Sequence, residues 1–210
     1  MTEDEANAST DFAGNLAFVK ALVSEGGQLQ TTAGAAFLAA GLCYGIQCLL
    51  QYAQIRGWAP GGQPLSLIIG VGPTVVFVVA LSLILWRNRR ASQQGVATRA
   101  LNASFSSAGL ANLFMVFVFG YNAFTQKSLA IWFYYPCVVC AFQGATWYVA
   151  YMIRRKVWLA CVSGGWFVTT VALGLTLRDI PTYVLILGLA LTVLMGGSGW
   201  IMMQQARKAG

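Results

Sequence analysis

The sequence predicts an all-α, polytopic integral membrane protein with six transmembrane helices in three hairpins and both termini in the cytoplasm. Composition leads to this class, because 58% of the 210 residues are hydrophobic and only 9% are charged, whereas soluble domains carry about a quarter charged residues. Histidine is absent, which excludes imidazole-ligated metals and histidine-based acid–base catalysis. Soluble, disordered and disulfide-rich secreted proteins are excluded as well.

Six apolar segments are each long enough to cross the hydrocarbon core of a bilayer, which takes about 20 helical residues. Their interiors contain no Asp, Glu, Lys or Arg, as expected of membrane spans. We place them at residues 31–54, 65–86, 105–124, 129–153, 157–177 and 182–203. The chain then divides into residues 1–30, the six-helix bundle of residues 31–205, and a basic cytoplasmic tail of residues 206–210.

Basic residues set the orientation of this bundle. With a cytoplasmic N-terminus, only Arg56, Lys127 and Arg178 of the 13 Lys and Arg residues fall outside. This positive-inside bias is typical of a multi-pass protein of the bacterial inner membrane. Anionic lipids are the expected partners of the inner cations, namely Arg87, Arg89, Arg90, Arg154, Arg155 and Lys156.

Aromatic residues near both ends of the spans fit the belts that Trp and Tyr form at membrane interfaces. The outer belt is predicted to hold Trp58, Trp132, Tyr134 and Tyr183, and the inner belt Trp86, Tyr151, Trp158 and Trp200.

The first 30 residues combine an acidic tail with an amphipathic segment. Phe12, Leu16, Val19 and Val23 recur at helical spacing. This pattern predicts an interfacial helix on the inner leaflet or, alternatively, a docking helix for a cytoplasmic partner.

Polarity inside the spans comes from amides and hydroxyls. Asp, Glu, Lys or Arg within a span usually marks a proton relay or an ion path, so their absence argues against a proton antiporter, a voltage sensor and a retinal protein. The polar groups either form interhelical hydrogen bonds or line a cavity for a neutral solute. The ligand or pore-lining candidates are Tyr44, Gln47, Gln51, Thr74, Asn112 and Gln143.

Small residues mark positions where helix backbones approach each other. Clusters in the fifth and sixth spans predict close contact within that hairpin, or local unwinding that frees backbone groups for a ligand. Pro73 and Pro136 predict kinks in the second and fourth spans. The helix-packing candidates are Gly41, Gly45, Gly144, Gly164, Gly165, Gly196, Gly197 and Gly199.

Five cysteines are present, and Cys137 and Cys140 form a CxxC motif after Pro136. This string is similar to the CxxC of membrane thiol oxidoreductases that pass electrons to a quinone, the bacterial disulfide-generating and vitamin K epoxide reductase families. Those families use a second cysteine pair on an outer loop, whereas Cys43 and Cys48 lie in the first span. Burial in hydrocarbon disfavours a thiolate, so packing is the main interpretation and a redox pair the alternative.

These observations favour a non-enzymatic membrane subunit, sensor or scaffold that acts through helix packing. We expect no catalytic residue, cofactor, metal or nucleic-acid partner, and we expect a homo-oligomer or a subunit of a membrane complex. The alternatives are a small channel or facilitator that transports a neutral solute, and a thiol–disulfide oxidoreductase using the CxxC pair.

Overall fold

The structure, a computed structural model, describes residues 31–87 and 96–209 and is all-helical over that part of the chain. Within these described residues, six helices are long and apolar enough to cross a membrane, which confirms the predicted class and the six predicted spans. The first five are α1 (Thr31–Ile55), α2 (Gln63–Arg87), α3 (Val96–Thr125), α4 (Leu129–Arg154) and α5 (Val157–Leu175). The sixth helix consists of α6 (Ile180–Ala190), a π-helical segment (Leu191–Gly196) and α7 (Gly197–Ala209).

Short turns connect the later helices. Lys127 and Arg155 adopt left-handed backbone conformations (φ 49° and 53°) between α3 and α4 and between α4 and α5. The backbone N–H of Arg155 donates to Tyr151 O at 2.7 Å, which closes the end of α4. At the start of α6, Asp179 accepts a hydrogen bond from the Thr182 N–H. Such turns hold consecutive helices side by side.

Two helix boundaries differ from the sequence prediction. α3 begins at Val96, nine residues before the predicted start of the third span at residue 105, because Ala and Leu residues continue the helix beyond the apolar stretch. The sixth helix continues to Ala209, through residues assigned to the basic tail. The predicted segment of residues 1–30, together with Arg89 and Arg90, lies outside the described residues.

The core of the bundle lies among α1, α4, α5 and the sixth helix. Its largest fully buried side chains are Trp147, Trp166, Tyr183 and Leu173. The Ser163 hydroxyl of α5 donates to the Gly144 carbonyl of α4 at 2.8 Å in this interior. These helices form the framework against which the others pack.

At one end of the bundle lie Arg154 and its neighbours Arg155 and Lys156, which we call the basic end. Lys156 Nζ donates to Gln205 Oε1 of α7 at 3.2 Å, so the α4–α5 turn and the end of the sixth helix meet there.

Candidate functional site

Gln47 of α1 binds the backbone of α2. Its Nε2 donates to the Gly70 carbonyl at 3.0 Å, and one turn away the rings of Tyr44 and Phe77 pack with centroids 5.4 Å apart. Pro73 has no N–H and frees the carbonyl of Ile69, four residues back, so the Gln47 bond to Gly70 lies next to this interruption of the α2 ladder. Gln47 therefore fastens α2 to α1. Its Oε1 is buried and has no hydrogen-bond partner in the described part of the chain.

Asn112 of α3 and Gln143 of α4 lie at facing positions of two antiparallel helices. A ring contact between Phe105 and Trp147 at 5.3 Å, and a second one between Phe119 and Tyr135, set a register that brings the two amides to a similar level of the helices. Asn112 Oδ1 and Gln143 Oε1 are both buried without a hydrogen-bond partner among the described residues. An unpaired buried carbonyl costs about 1–3 kcal/mol, so this level of the bundle has unused acceptor capacity.

Aromatic rings pack in pairs between α1 and α2 and between α3 and α4. Phe77 of α2 packs on Tyr44 of α1 with centroids 5.4 Å apart. Tyr135 of α4 packs on Phe119 of α3 with centroids 6.2 Å apart. Aromatic side chains therefore fill these two contacts, which lie within a few residues of Pro73 and Pro136.

The six ligand candidates do not come together at one site. Tyr44 and Gln47 lie at the α1–α2 contact, whereas Asn112 and Gln143 lie between α3 and α4. Gln51 is half-buried on α1, and Thr74 is exposed on the surface of α2.

α1 and the sixth helix approach each other along a stripe of glycines. A Cβ atom added to Gly41 would lie 2.6 Å from Gly196 Cα and 2.8 Å from the Leu191 carbonyl oxygen. One added to Gly199 would lie 2.6 Å from the Gly34 carbonyl oxygen. Cβ atoms do not approach backbone atoms so closely, so any larger residue at these positions would force the helices apart.

The π segment of the sixth helix lies at this contact. Thr192, within the segment, donates its hydroxyl to Gly188 O at 2.8 Å and faces Gly45 of α1. π turns are short insertions into α-helices that frequently occur at functional sites. The structure shows this widened turn in close contact with α1, a partner that neither sequence alternative named.

The glycine clusters of α5 and of the sixth helix were expected to contact each other, and the structure shows a different partner. Gly165 of α5 contacts a leucine of the π segment, but an added Cβ on Gly164 or Gly197 would have no described atom within 4 Å. The close backbone approach is made with α1 rather than within the α5–α6 hairpin, because α5 packs mainly on α4. Gly144 of α4 faces α5, and its carbonyl accepts the hydrogen bond from the Ser163 hydroxyl.

Tyr183 was assigned to the outer interfacial belt, and that assignment is wrong. Its side chain is 2% exposed, and its hydroxyl donates to the Phe133 carbonyl of α4 at 2.6 Å. The Cys137 thiol donates to the same carbonyl at 3.6 Å. Pro136 does not account for this bond, because it frees the carbonyl of Trp132, four residues back, and not that of Phe133.

The cysteines are free thiols, and three of them, Cys48, Cys137 and Cys140, lie within electrostatic range of Tyr183. Cys140 is buried in the core. Within residues 31–87 and 96–209, no group of His, Cys, Asp and Glu side chains is arranged to hold a metal ion. Of the CxxC pair, Cys140 is therefore buried and Cys137 half-buried in the bundle, and no disulfide joins them in this structure.

Comparison of the chain with known protein families, characterised proteins and solved structures found no significant match. Arguments about function therefore rest on the packing and chemistry described above.

Proposed function

We propose that this chain is a non-enzymatic membrane protein that acts through helix packing, as a subunit, sensor or scaffold. The observation that supports this is the glycine contact between α1 and the sixth helix. Backbones in direct contact have little room to slide or separate. The first and last spans therefore form a stiff pair, and α4 and α5 complete the framework.

The helices outside this framework supply the surface for a partner. Ile69 is the one buried residue of α2, all of which the structure describes, whereas α5 buries six residues. α3 likewise presents Leu110, Leu113, Phe114 and Phe117 on its outside. We place the partner, a second copy or another membrane subunit, on the α2–α3 side of the bundle.

Site-specific photo-crosslinking in native membranes tests this proposal. A photoreactive residue replaces the exposed Val75 of α2 or the exposed Phe117 of α3. The matched control replaces Val168, which is equally exposed but lies on α5. We expect protein adducts of one defined mass from the α2 and α3 positions and lipid adducts from the control. The adduct mass separates a homo-oligomer from a complex with another subunit. Lipid adducts alone at all three positions would overturn the proposal.

The second candidate function is a facilitator for a neutral solute. The specific observation in its favour is that the amide oxygens of Gln47, Asn112 and Gln143 are buried without a described partner, as expected where a water or a ligand with N–H or O–H donors binds. The aromatic pairs that fill the α1–α2 and α3–α4 contacts support the packing function instead.

Flux measurements distinguish the two functions. A facilitator requires Asn112→Leu and Gln143→Leu to abolish uptake of water, glycerol or urea into liposomes, whereas Thr74→Val, on the exposed face of α2, leaves it unchanged. The packing function requires no flux above that of empty liposomes in any of these proteins.

For the topology we propose a bacterial inner-membrane protein with three successive hairpins and both termini in the cytoplasm. The charge asymmetry of the loops supports this orientation. The basic end then faces the cytoplasmic leaflet, where anionic lipids attract its cations.

A further inference from the structure

The chain enters its first helix at the basic end. Ala33 of α1 lines the same small cavity as Arg154 of α4. One residue after Ala33, a Cβ added to Gly34 would lie 2.8 Å from the Gly199 carbonyl oxygen of α7. Residues 1–30, which precede α1 directly, are therefore attached to the bundle beside the α4–α5 turn and the end of the sixth helix.

Exposed cations surround this point of attachment. Lys156 of the α4–α5 turn donates to Gln205 of α7 at 3.2 Å, and Asn102, in the first turns of α3, lines the same cavity as Ala33. The start of α3, the α4–α5 turn and the end of α7 therefore lie together. Their exposed cations are Arg99 of α3, Arg155 and Lys156 of the turn, and Arg207 and Lys208 of α7. So many like charges at one end create a potential that attracts anionic groups.

The carboxylates of the chain are distributed in the opposite way. Among the described residues the one carboxylate side chain is that of Asp179, which caps α6 at the other end of the bundle. The other five Asp and Glu residues all lie in residues 1–30, against a single lysine, Lys20. Four of the five lie in residues 3–11, which we call the acidic segment: Glu3, Asp4, Glu5 and Asp11. The strongest negative and positive charges of the chain thus lie on the same side of α1.

The chain between the acidic segment and α1 is long enough for the two charged regions to meet. Asp11 lies 20 residues before Thr31, and an extended chain spans up to about 3.3–3.6 Å per residue. Neighbouring helices lie about 8–10 Å apart, so every cation of the basic end is within reach. Attachment to the same chain also keeps the segment at an effective concentration of about millimolar, which a separate partner would have to exceed.

We propose that the acidic segment docks on the exposed cations of the basic end. An anionic leaflet repels carboxylates, whereas the basic end attracts them, so charge favours this site over the membrane surface. The docked segment covers the cations, and an anionic lipid or an acidic partner reaches them only by displacing it. The inference depends neither on the packing function nor on the orientation proposed above, because the segment and the basic end lie on one side of the membrane whichever way the bundle is inserted.

Carbodiimide cross-linking of the full chain tests this docking, since the reagent joins a carboxylate directly to a lysine amine without a spacer. The protein is reconstituted in phosphatidylglycerol, so that an anionic lipid competes for the same cations, and peptide mass spectrometry identifies the joined residues. Lys156 and Lys208 report on the basic end, and Lys127, equally exposed at the opposite end, is the matched control. We expect the acidic segment to be joined to Lys156 and Lys208 and not to Lys127.

Arginine variants show whether charge causes the contact, because arginine does not react with the carbodiimide. The double variant Arg99→Gln/Arg207→Gln removes two cations and leaves the reporting lysines in place. We expect about fivefold less cross-linking, the size expected from the loss of two exposed ion pairs. The double variant Arg56→Gln/Arg178→Gln, at the opposite end, is the control and leaves the yield unchanged. Salt at about 1 M, which shortens the Debye length to about 3 Å, lowers the wild-type yield in the same way.

Three outcomes would overturn the proposal. One is the absence of cross-links from the acidic segment to Lys156 and Lys208, which would assign these cations to the lipid. Another is a yield that Arg99→Gln/Arg207→Gln leaves at the wild-type level. The third appears when isotope-labelled and unlabelled chains are mixed: cross-links found only between a labelled and an unlabelled chain would make a second copy the partner.

Discussion

Gly41 of α1 lies so close to Gly196 of the sixth helix that a methyl group on Gly41 would meet the Gly196 Cα at 2.6 Å. This pair lies where the π segment of the sixth helix ends. It joins the first span of the chain to the last with backbone in contact with backbone.

Replacement of Gly41 by Ala should destabilise the protein by about 1–3 kcal/mol, as overpacking of a tight contact does. The backbone atoms that it meets have no rotamer to change, so the helices must separate. Thermal unfolding in detergent measures the effect. Gly164→Ala is the control, because no described atom lies within 4 Å of an added Cβ there, and equal losses in both variants would contradict the interpretation.

Tyr183→Phe should destabilise the bundle by about 1–2 kcal/mol. It leaves the Phe133 carbonyl with the Cys137 thiol, a weak donor, as its described side-chain partner. Tyr121→Phe, at a surface position of α3 that is 71% exposed, should change stability little. Unfolding in mixtures of mild detergent and dodecyl sulfate compares the stability of the two variants with that of wild type. If Tyr183→Phe is as stable as wild type, this hydrogen bond makes no net contribution to stability.

Deletion of Val193 should convert the π segment into ordinary α-helix, since a π turn accommodates one extra residue within an α-helix. Five α-helical residues turn the chain by about as much as six π-helical ones, so α7 keeps its orientation and Gly199 stays against α1. We therefore expect the deletion to cost less stability than Gly41→Ala does. Val193 is 64% exposed, so Val193→Ala controls for loss of the side chain. Thermal unfolding of the deletion and substitution variants measures this, and a loss on deletion as large as that of Gly41→Ala would contradict the expectation.

Labelling of single cysteines should place the two ends of the bundle in different compartments. In a background with the five native cysteines replaced, Cys at Arg155 should react with an impermeant maleimide only in inside-out vesicles. Cys at Lys127 should react only in right-side-out vesicles. The reverse pattern would invert the proposed topology.

The positions of the spans could be predicted from the sequence, because a bilayer sets the length of an apolar helix and cations collect at its ends. Which helices become neighbours could not. In lipid, an apolar face that meets another helix looks the same in composition as one that meets acyl chains, so nothing distinguished Gly196 as a partner of Gly41. Gly165, in an equally small cluster, meets a flexible leucine instead.

Candidate site residues show the same limit. Amides such as Gln47 were identifiable as polar residues in apolar spans, and Gln47 does make an interhelical bond. Trp147 was not identified as a candidate from the sequence, because tryptophan is common both in cores and at interfaces. Its indole N–H is buried without a described hydrogen-bond partner, and only the tertiary arrangement shows that.

The contact between α1 and the sixth helix also constrains biosynthesis. α1 is made first, but the glycine face that it presents to Gly196 has no partner until the last span has been synthesised and inserted. During that interval four further helices enter the bilayer while α1 still lacks its neighbour. A chain truncated before Leu191 would leave this face without its helical partner.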